Sequence, residues 1–145
     1  MIVKAILKGK RNNEVATTVA GQSVTEAAKL LHQRRIGALV VTESNGDIVG
    51  IISERDIVRG MALHPGAVDS LKVRDLMTSS VLVCSPDDSV GNLMGTMTNN
   101  RIRHLPVMEH GKLVGIITIG DVVKSCLDET TMQVDSLREY VMAGR

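Results

Sequence analysis

The sequence predicts a mixed α/β (α+β) protein made of two copies of one β-α-β-β-α unit. Two observations support this prediction: the chain repeats itself, and both copies show the same order of hydrophobic periodicities. A shift of 66 residues overlays 15–43 on 81–109, and a shift of 65 overlays 46–58 on 111–123, with 15 identities over 42 aligned pairs. Because a unit of about 50 residues buries little apolar surface, we expect the two copies to pack as one pseudo-symmetric domain.

Each repeat opens with a short strand, which we predict over residues 15–19 and 81–83. An amphipathic helix follows, because apolar residues recur at i, i+3, i+4 and i+7 in both copies. In the first copy Ser23 and Glu26 match the capping-box pattern, which predicts that the helix begins directly after Ser23.

A β-hairpin and a second helix complete each repeat. Two apolar runs flank Asn45-Gly46 in the first copy and His110-Gly111 in the second. Asn-Gly is a strong signal for a tight hairpin turn, and the second copy occupies the same place in the repeat. The second helices are predicted over residues 54–63 and 120–127.

The segments outside the repeats predict three further short helices. Val3–Leu7 and Val73–Met77 show similar apolar patterns and are interpreted as lead-in helices. Residues 134–142 are interpreted as a last short helix that packs on a partner subunit. The predicted organisation is a lead-in helix (1–13), repeat one (14–63), a linker with a short helix (64–79), repeat two (80–128) and a tail with a short helix (129–145).

Composition excludes several classes of function. The 145 residues are 43% apolar and 23% charged, which is typical of a folded globular protein. The net charge of +1 creates no overall field for nucleic acid or anionic membranes, and the single aromatic residue, Tyr140, leaves no platform for stacking bases. No stretch reaches the ~18 apolar residues of a membrane helix, and the N-terminus does not resemble a signal peptide. We therefore expect a cytoplasmic protein that binds neither membranes nor nucleic acid.

Neither metal chemistry nor catalysis is indicated by the sequence. Cys84 and Cys126 lie far apart in apolar runs, as is typical of free, buried thiols in a cytoplasmic protein. The four histidines lack a metal-ligand spacing such as His-Glu-x-x-His. No local nucleophile-and-base motif, Walker loop or Gly-x-Gly-x-x-Gly is present. We expect a protein that is not an enzyme and has no metal site of its own.

A matched pair of polar motifs is the strongest candidate for a binding site. Ser53 with Asp56, and Thr118 with Asp121, each place a hydroxyl at the end of a buried strand and a carboxylate in the first turn of a helix. The same pattern caps helices, so a purely structural role is one interpretation. The functional interpretation is nucleotide binding, because a carboxylate accepts from both ribose hydroxyls and a helix start suits phosphate.

Cations cluster before the middle strand of each repeat. Arg34 in the first copy, and Arg103 with His104 in the second, stand next to the predicted hairpins. The rigid fork of arginine suits phosphate, although a helix end that complements the dipole explains Arg34 equally well. Gly37 and Ala38 are small, as required where a planar base approaches the backbone.

Together these motifs resemble a pair of CBS domains, the module named after cystathionine β-synthase. The strings that carry the resemblance span most of residues 3–127, and the match is nearest to stand-alone bacterial CBS pairs. The resemblance implies two repeats packed as one pseudo-twofold CBS-pair disc, or Bateman module, with two clefts for adenosyl compounds. The strings are Ile36-Gly-Ala-Leu-Val-Val, Gly50-Ile-Ile-Ser-Glu-Arg-Asp-Ile, Arg103-His-Leu-Pro-Val, Gly115-Ile-Ile-Thr-Ile-Gly-Asp-Val and the lead-in Val73-Arg-Asp-Leu-Met-Thr.

The resemblance also implies that each cleft combines residues of both repeats. The aspartates would hold ribose, the hydroxyl and cationic side chains would meet phosphates, and the strand residues would frame adenine. Because Gly120 stands where Arg55 has its counterpart, we expect the cleft with Asp56 to hold the more phosphorylated ligand. The residues implied are Ser53, Arg55, Asp56, Val81, Val83, Arg103, His104, Leu105 and Pro106 for the cleft with Asp56, and Val15, Ala16, Ile36, Gly37, Ala38, Thr118 and Asp121 for the cleft with Asp121.

The function implied is that of a non-catalytic regulatory protein in signal transduction. Its ligand would be AMP, ADP, ATP, NAD or S-adenosylmethionine, with Mg²⁺ only as the companion of ATP. As a homodimer it would report energy or redox state to an unidentified partner protein. The alternative is a structural dimerisation scaffold with degenerate clefts and no ligand. A nucleotide-processing enzyme and a nucleic-acid binder are further alternatives, which the absent catalytic motifs and the balanced charge disfavour.

Overall fold

A computed structural model describes residues 1–144 and gives a mixed α+β protein with two small sheets, which confirms the predicted fold class. Residue 145, the end of the predicted tail, lies outside the described residues. The elements in chain order are α1 (Val3–Gly9), β1 (Thr17–Thr18), α2 (Val24–Arg34), β2 (Ala38–Thr42), β3 (Ile48–Ser53), α3 (Glu54–Leu63), a 3₁₀ turn (Val68–Ser70), α4 (Val73–Leu76), α5 (Val90–Asn100), β4 (His104–Glu109), β5 (Lys112–Thr118) and α6 (Ile119–Ala143).

The chain divides into two compact units. Residues 14–82 form the first-repeat unit, and residues 1–13 join the chain from residue 83 onward to form the second-repeat unit. Each unit has its own apolar core, built from its hairpin and three helices: α2, α3 and α4 in the first-repeat unit, and α1, α5 and α6 in the second-repeat unit. The two sequence repeats therefore correspond to two structural units.

The first-repeat unit contains a three-stranded sheet. β1 runs parallel to β2, and β2 pairs antiparallel with β3 across the turn at Gly46, whose φ of +88° favours glycine. Helix α2 begins as predicted, because the Oγ of Ser23 accepts the backbone N–H of Glu26 at 3.1 Å. The predicted capping box is not completed. The side-chain oxygen of Gln22 accepts the N–H of Ser23 at 3.0 Å, and Glu26 pairs with Lys29 instead.

Among the described residues of the second-repeat unit, the sheet consists of the β4–β5 hairpin, so the strand predicted over 81–83 is wrong. Cys84 instead forms an isolated parallel bridge beside Val107, accepting from the N–H of Met108 at 2.8 Å. The bridge does not extend, because Pro86 follows and lacks a backbone N–H. The strand predicted over 15–19 is likewise reduced to β1.

Helix α6 is one continuous element of 25 residues, whereas the sequence predicted separate helices over 120–127 and 134–142. Residues 128–133 contain neither glycine nor proline, so nothing in the backbone interrupts the helix. The hydroxyl of Thr130 donates to the carbonyl of Cys126 at 2.9 Å, within the helix.

The lead-in helices α1 and α4 are confirmed. Leu7 in α1 and Met77, the residue directly after α4, each pack on a glycine of a hairpin. In the first-repeat unit a Cβ added to Gly50 would lie 2.6 Å from the Sδ of Met77. In the second-repeat unit a Cβ added to Gly115 would lie 2.7 Å from a methyl of Leu7. Helix α1 is thus built into the core of the second repeat, although it precedes the first repeat in the chain.

Candidate functional site

In the first-repeat unit the predicted motif forms where β2 begins and β3 ends. Ala38 lies opposite Ser53 across the two strands. The N–H of Glu54 donates to the carbonyl of Gly37 at 2.9 Å, which ties the loop before β2 to the start of α3. The structure therefore brings Gly37 and Ala38 next to Ser53 within one unit.

Asp56 is buried, at 6% exposure, and closes a capping box at the start of α3. Its Oδ2 accepts the N–H of Ser53 at 2.9 Å and the hydroxyl of Ser53 at 3.1 Å. Its Oδ1 has longer contacts, with the Oγ1 of Thr78 at 3.5 Å and the Nη1 of Arg59 at 3.6 Å. Because a carboxylate offers about four lone-pair sites, the helix cap leaves Oδ1 with capacity for a further donor.

The second-repeat unit repeats this arrangement with different neighbours. His104 lies opposite Thr118, and the N–H of Ile119 donates to the carbonyl of Arg103 at 2.9 Å. Asp121 closes the capping box of α6, with its Oδ2 accepting the N–H of Thr118 at 3.0 Å. The structure therefore brings Arg103 and His104 next to Thr118.

Lys10 is a residue of this site that the sequence did not indicate. Its ammonium donates to Oδ2 of Asp121 at 3.0 Å and to the carbonyl of Ile116 at 2.9 Å, with both charged side chains half-buried. At the equivalent edge of the first repeat, Ile51 and Thr78 exchange backbone hydrogen bonds of 3.0 and 2.9 Å. The two motifs therefore share a capping box but differ in what covers them. The contacts of Asp121 with Lys10 and with the N–H of Thr118 are both made through Oδ2.

The remaining predicted residues are distributed over both units. The carbonyl of Ala16 accepts the N–H of Val40 at 3.1 Å, which places Ala16 beside β2. Arg55 is exposed on α3, whereas Leu105 and Pro106 are buried in β4. The combinations of residues across the two repeats stay a prediction. The first-repeat unit holds Val15, Ala16, Ile36, Gly37, Ala38, Ser53, Arg55, Asp56 and Val81, and the second holds Val83, Arg103, His104, Leu105, Pro106, Thr118 and Asp121.

Two arginines adopt a left-handed backbone conformation at equivalent positions. Arg35 ends α2 with a φ of 53°, and Arg101 ends α5 with a φ of 54°. This conformation costs a residue with a Cβ roughly 1–2 kcal/mol, and glycine is the usual choice. Both side chains are exposed beside the loops that lead into β2 and β4. In the repeat alignment Arg35 is paired with Arg101, and this identity is the sequence signal for their shared conformation.

Other chemistry is sparse in the described part of the chain. Within residues 1–144, no three His, Cys, Asp or Glu side chains are grouped so as to hold a metal ion. None of the helices described combines the length and the apolar character that crossing a membrane requires. Cys84 and Cys126 are both free thiols, and burial, aided by the negative charge of Asp88, raises the pKa of Cys84 to about 11.

A family model of the CBS domain matches this chain twice, over residues 9–63 and 73–128. The chain belongs to the CBS-domain family. Each match covers the helices and the hairpin of one structural repeat, so the protein carries a CBS pair. CBS pairs are in general regulatory modules rather than enzymes.

Similar proteins include one from a plant. The mitochondrial CBS domain-containing protein CBSX3 of Arabidopsis thaliana is 35% identical over 126 residues, which are 84% of this chain. The chain spans about 61% of the length of that relative.

Solved structures share the fold of this chain. A CBS-domain containing protein from Agrobacterium tumefaciens has a TM-score of 0.82 and 42% identity, over 85% of this chain and 91% of its own. The CBS domain pair of protein MJ0100 has a TM-score of 0.74 and 28% identity, over 86% of this chain and 98% of its own. That pair was solved in complex with 5′-methylthioadenosine and S-adenosyl-L-methionine.

Proposed function

We propose that this CBS pair is a non-catalytic regulatory protein that binds an adenosyl nucleotide and signals energy or redox state to a partner protein. The ligands proposed are AMP, ADP, ATP or NAD, with Mg²⁺ only where it accompanies ATP. The observation that carries the proposal is the duplicated capping box of Ser53–Asp56 and Thr118–Asp121, in which each carboxylate uses Oδ2 for the cap. The adenosyl ligands of the MJ0100 pair support the same ligand class.

The proposed chemistry uses the oxygen that each cap leaves available. A ribose has two adjacent hydroxyls, and an ionised carboxylate accepts from both. The hydroxyls of Ser53 and Thr118 already take part in the caps, at the N-termini of helices, where the dipole favours a phosphate. The site residues expected from the family resemblance, including the pairing of Asp56 with Arg103 and of Asp121 with Gly37, are part of this proposal.

The two proposed sites differ in the source of positive charge. Arg55 stands beside Asp56, and this cation supports the expectation that the Asp56 site takes the more phosphorylated ligand. Gly120 supplies no charge beside Asp121, but the ammonium of Lys10 does so at 3.0 Å. A ribose that binds Oδ1 of Asp121 leaves the Lys10 contact at Oδ2 intact. Lys10 therefore reduces the difference between the sites that Arg55 and Gly120 alone would create.

Thermal unfolding with AMP, ADP, ATP, NAD and S-adenosylmethionine tests the proposal. Asp56→Asn and Asp121→Asn each keep a side-chain oxygen for the helix cap but remove the charge that ribose binding uses. Asp75→Asn is the matched control, because Asp75 caps α4 in the same way, accepting the N–H of Lys72 at 2.8 Å, and lies outside the predicted clefts.

A ligand at one hundred times its Kd stabilises the folded state by about 2.7 kcal/mol. At roughly 2–4 °C per kcal/mol, the melting temperature rises by about 5–11 °C. We expect Asp56→Asn or Asp121→Asn to abolish this shift, and Asp75→Asn to retain it.

Three other outcomes contradict the proposal in different ways. A folded protein that no ligand stabilises would support the alternative of a dimerisation scaffold with degenerate clefts. A shift that survives both Asp56→Asn and Asp121→Asn would place the ligand elsewhere. Release of phosphate from ATP, or cleavage of NAD, would make the protein an enzyme.

A further inference from the structure

Helix α6 continues far beyond the part that packs in its own unit. The CBS match ends at residue 128, whereas α6 runs on to Ala143. Its buried residues, Val122 and Ser125, both lie in its first two turns. From residue 130 to residue 144 every side chain is exposed. This extension therefore gains no stability from burial within its unit. An isolated helix of about 12–15 residues is only marginally stable in water.

The exposed side of α6 has the spacing of a coiled coil. Apolar residues and one threonine recur at alternating intervals of four and three residues, which corresponds to the d and a positions of a heptad. The five apolar members are between 42% and 64% exposed. We name this row the α6 seam, and its members are Val123, Leu127, Thr130, Val134, Leu137 and Val141.

We propose that the α6 seam binds the α6 seam of a second copy of this chain, as a parallel two-stranded coiled coil. A helix of similar length and period covers a seam with a 3.5-residue period along its whole length. In the described residues the next longest helices, α2 and α5, have 11 residues each and are built into the cores of their units. A second α6 supplies the matching period, and twofold symmetry makes the seam complementary to itself.

Residue types along the seam support two parallel strands. Val134 and Val141 occupy a positions and Leu137 a d position, the combination that favours parallel dimers. In the parallel arrangement Gln133, at g, faces Arg138 of the partner subunit, at e, with no repulsion. The antiparallel arrangement that aligns the same layers would place Arg138 against Lys124 of the partner subunit, and like charges would oppose it. Charge therefore selects the parallel orientation.

This interface is independent of the proposed nucleotide sites, so it stands even if no ligand binds. The seam covers fewer than three heptads, so we expect a reversible dimer whose fraction rises with protein concentration. Sedimentation velocity from low to several hundred micromolar protein measures this dependence. Leu137→Glu places a charge in the seam, whereas Met132→Glu places the same charge at an f position, where Met132 is 68% exposed.

We expect the wild-type protein and Met132→Glu to dimerise equally, and Leu137→Glu to stay monomeric. Circular dichroism shows whether both variants remain folded, and Val141→Glu provides a second break in the seam. Dimers that are equally strong in all variants, or a wild-type protein that is monomeric throughout, would overturn the proposal. Orientation is tested with Val134→Cys, because parallel helices place the two introduced thiols in one layer and allow a disulfide. Failure to form that disulfide in a seam-dependent dimer would overturn the parallel arrangement.

Discussion

Replacing Gly50 with alanine probes how closely residues 77–78, directly after the lead-in helix α4, approach the hairpin of the first repeat. The new Cβ would lie 2.6 Å from the Sδ of Met77 and 3.1 Å from the carbonyl oxygen of Thr78. The methionine side chain is flexible, but the carbonyl is held by a backbone hydrogen bond of 3.0 Å from Ile51. The backbone therefore cannot withdraw without breaking that bridge, and the added methyl group must strain the packing.

Overpacking of this kind costs about 1–3 kcal/mol. Replacing glycine in a strand returns about 0.5–1 kcal/mol, because alanine loses less backbone entropy on folding. The net destabilisation expected for Gly50→Ala is therefore about 0–2.5 kcal/mol, or a melting temperature lower by up to roughly 10 °C. Gly115→Ala should cost less, because its Cβ meets only the flexible end of Leu7, at 2.7 Å.

Denaturant unfolding, followed by circular dichroism, measures these differences. Gly95→Ala is the matched control, because a Cβ at Gly95 in α5 has nothing within 4 Å. There the higher helix propensity of alanine should raise the free energy of unfolding by about 0.5–1 kcal/mol. If Gly50→Ala is stabilised as much as Gly95→Ala, then residues 77–78 do not pack against Gly50 and the reasoning is refuted.

Three further predictions concern backbone strain and thiol chemistry. Arg35→Gly and Arg101→Gly should each raise the free energy of unfolding by up to about 1 kcal/mol, because glycine adopts the left-handed conformation without a Cβ penalty; a loss of stability in denaturant would contradict the strain. Iodoacetamide at pH 8 should modify Cys126 well before Cys84, because burial raises the pKa of Cys84 to about 11. Between pH 9 and 11 the folded state keeps a proton on Cys84 that the unfolded chain has lost. The free energy of unfolding should therefore fall as pH rises through that window. In Cys84→Ala the free energy of unfolding should fall less steeply between pH 9 and 11. An unchanged pH dependence in this variant would contradict the role of the thiol.

Local patterns predicted the helices and hairpins because their causes are local. The apolar period located α2 and α5, and the turn dipeptides located both hairpins. The strand over 81–83 was wrong because a strand exists only where a partner supplies hydrogen bonds, and here the partner reaches Cys84 alone. The division of α6 into two helices was wrong because residues 128–133 contain neither glycine nor proline, so the helix continues through them.

In the candidate site, the local capping motifs were predictable from the sequence, whereas the long-range contact of Lys10 was not. The pairs Ser53–Asp56 and Thr118–Asp121 are three residues apart, so their capping geometry follows from sequence spacing alone. Lys10 is 111 residues from Asp121, and no local rule connects them. Periodicity shows which face of α1 is apolar but not which of two similar cores receives it. Because Leu7 packs beside Gly115 in the second repeat, Lys10 reaches Asp121 rather than Asp56.

The assignment of α1 to the second repeat has a consequence for synthesis on the ribosome. Residues 14–82 are contiguous, so the first repeat has all its own residues once residue 82 has emerged. Residues 1–13 make their native contacts only after the second repeat has been synthesised. Val3 donates to the carbonyl of Asp88, Leu7 packs beside Gly115, and Lys10 pairs with Asp121. At about 5–20 residues per second, the interval between residues 82 and 121 lasts roughly 2–8 s. Residues 1–13 are thus made before the first repeat but acquire their native contacts after it, and their apolar side chains stay accessible while the first repeat folds.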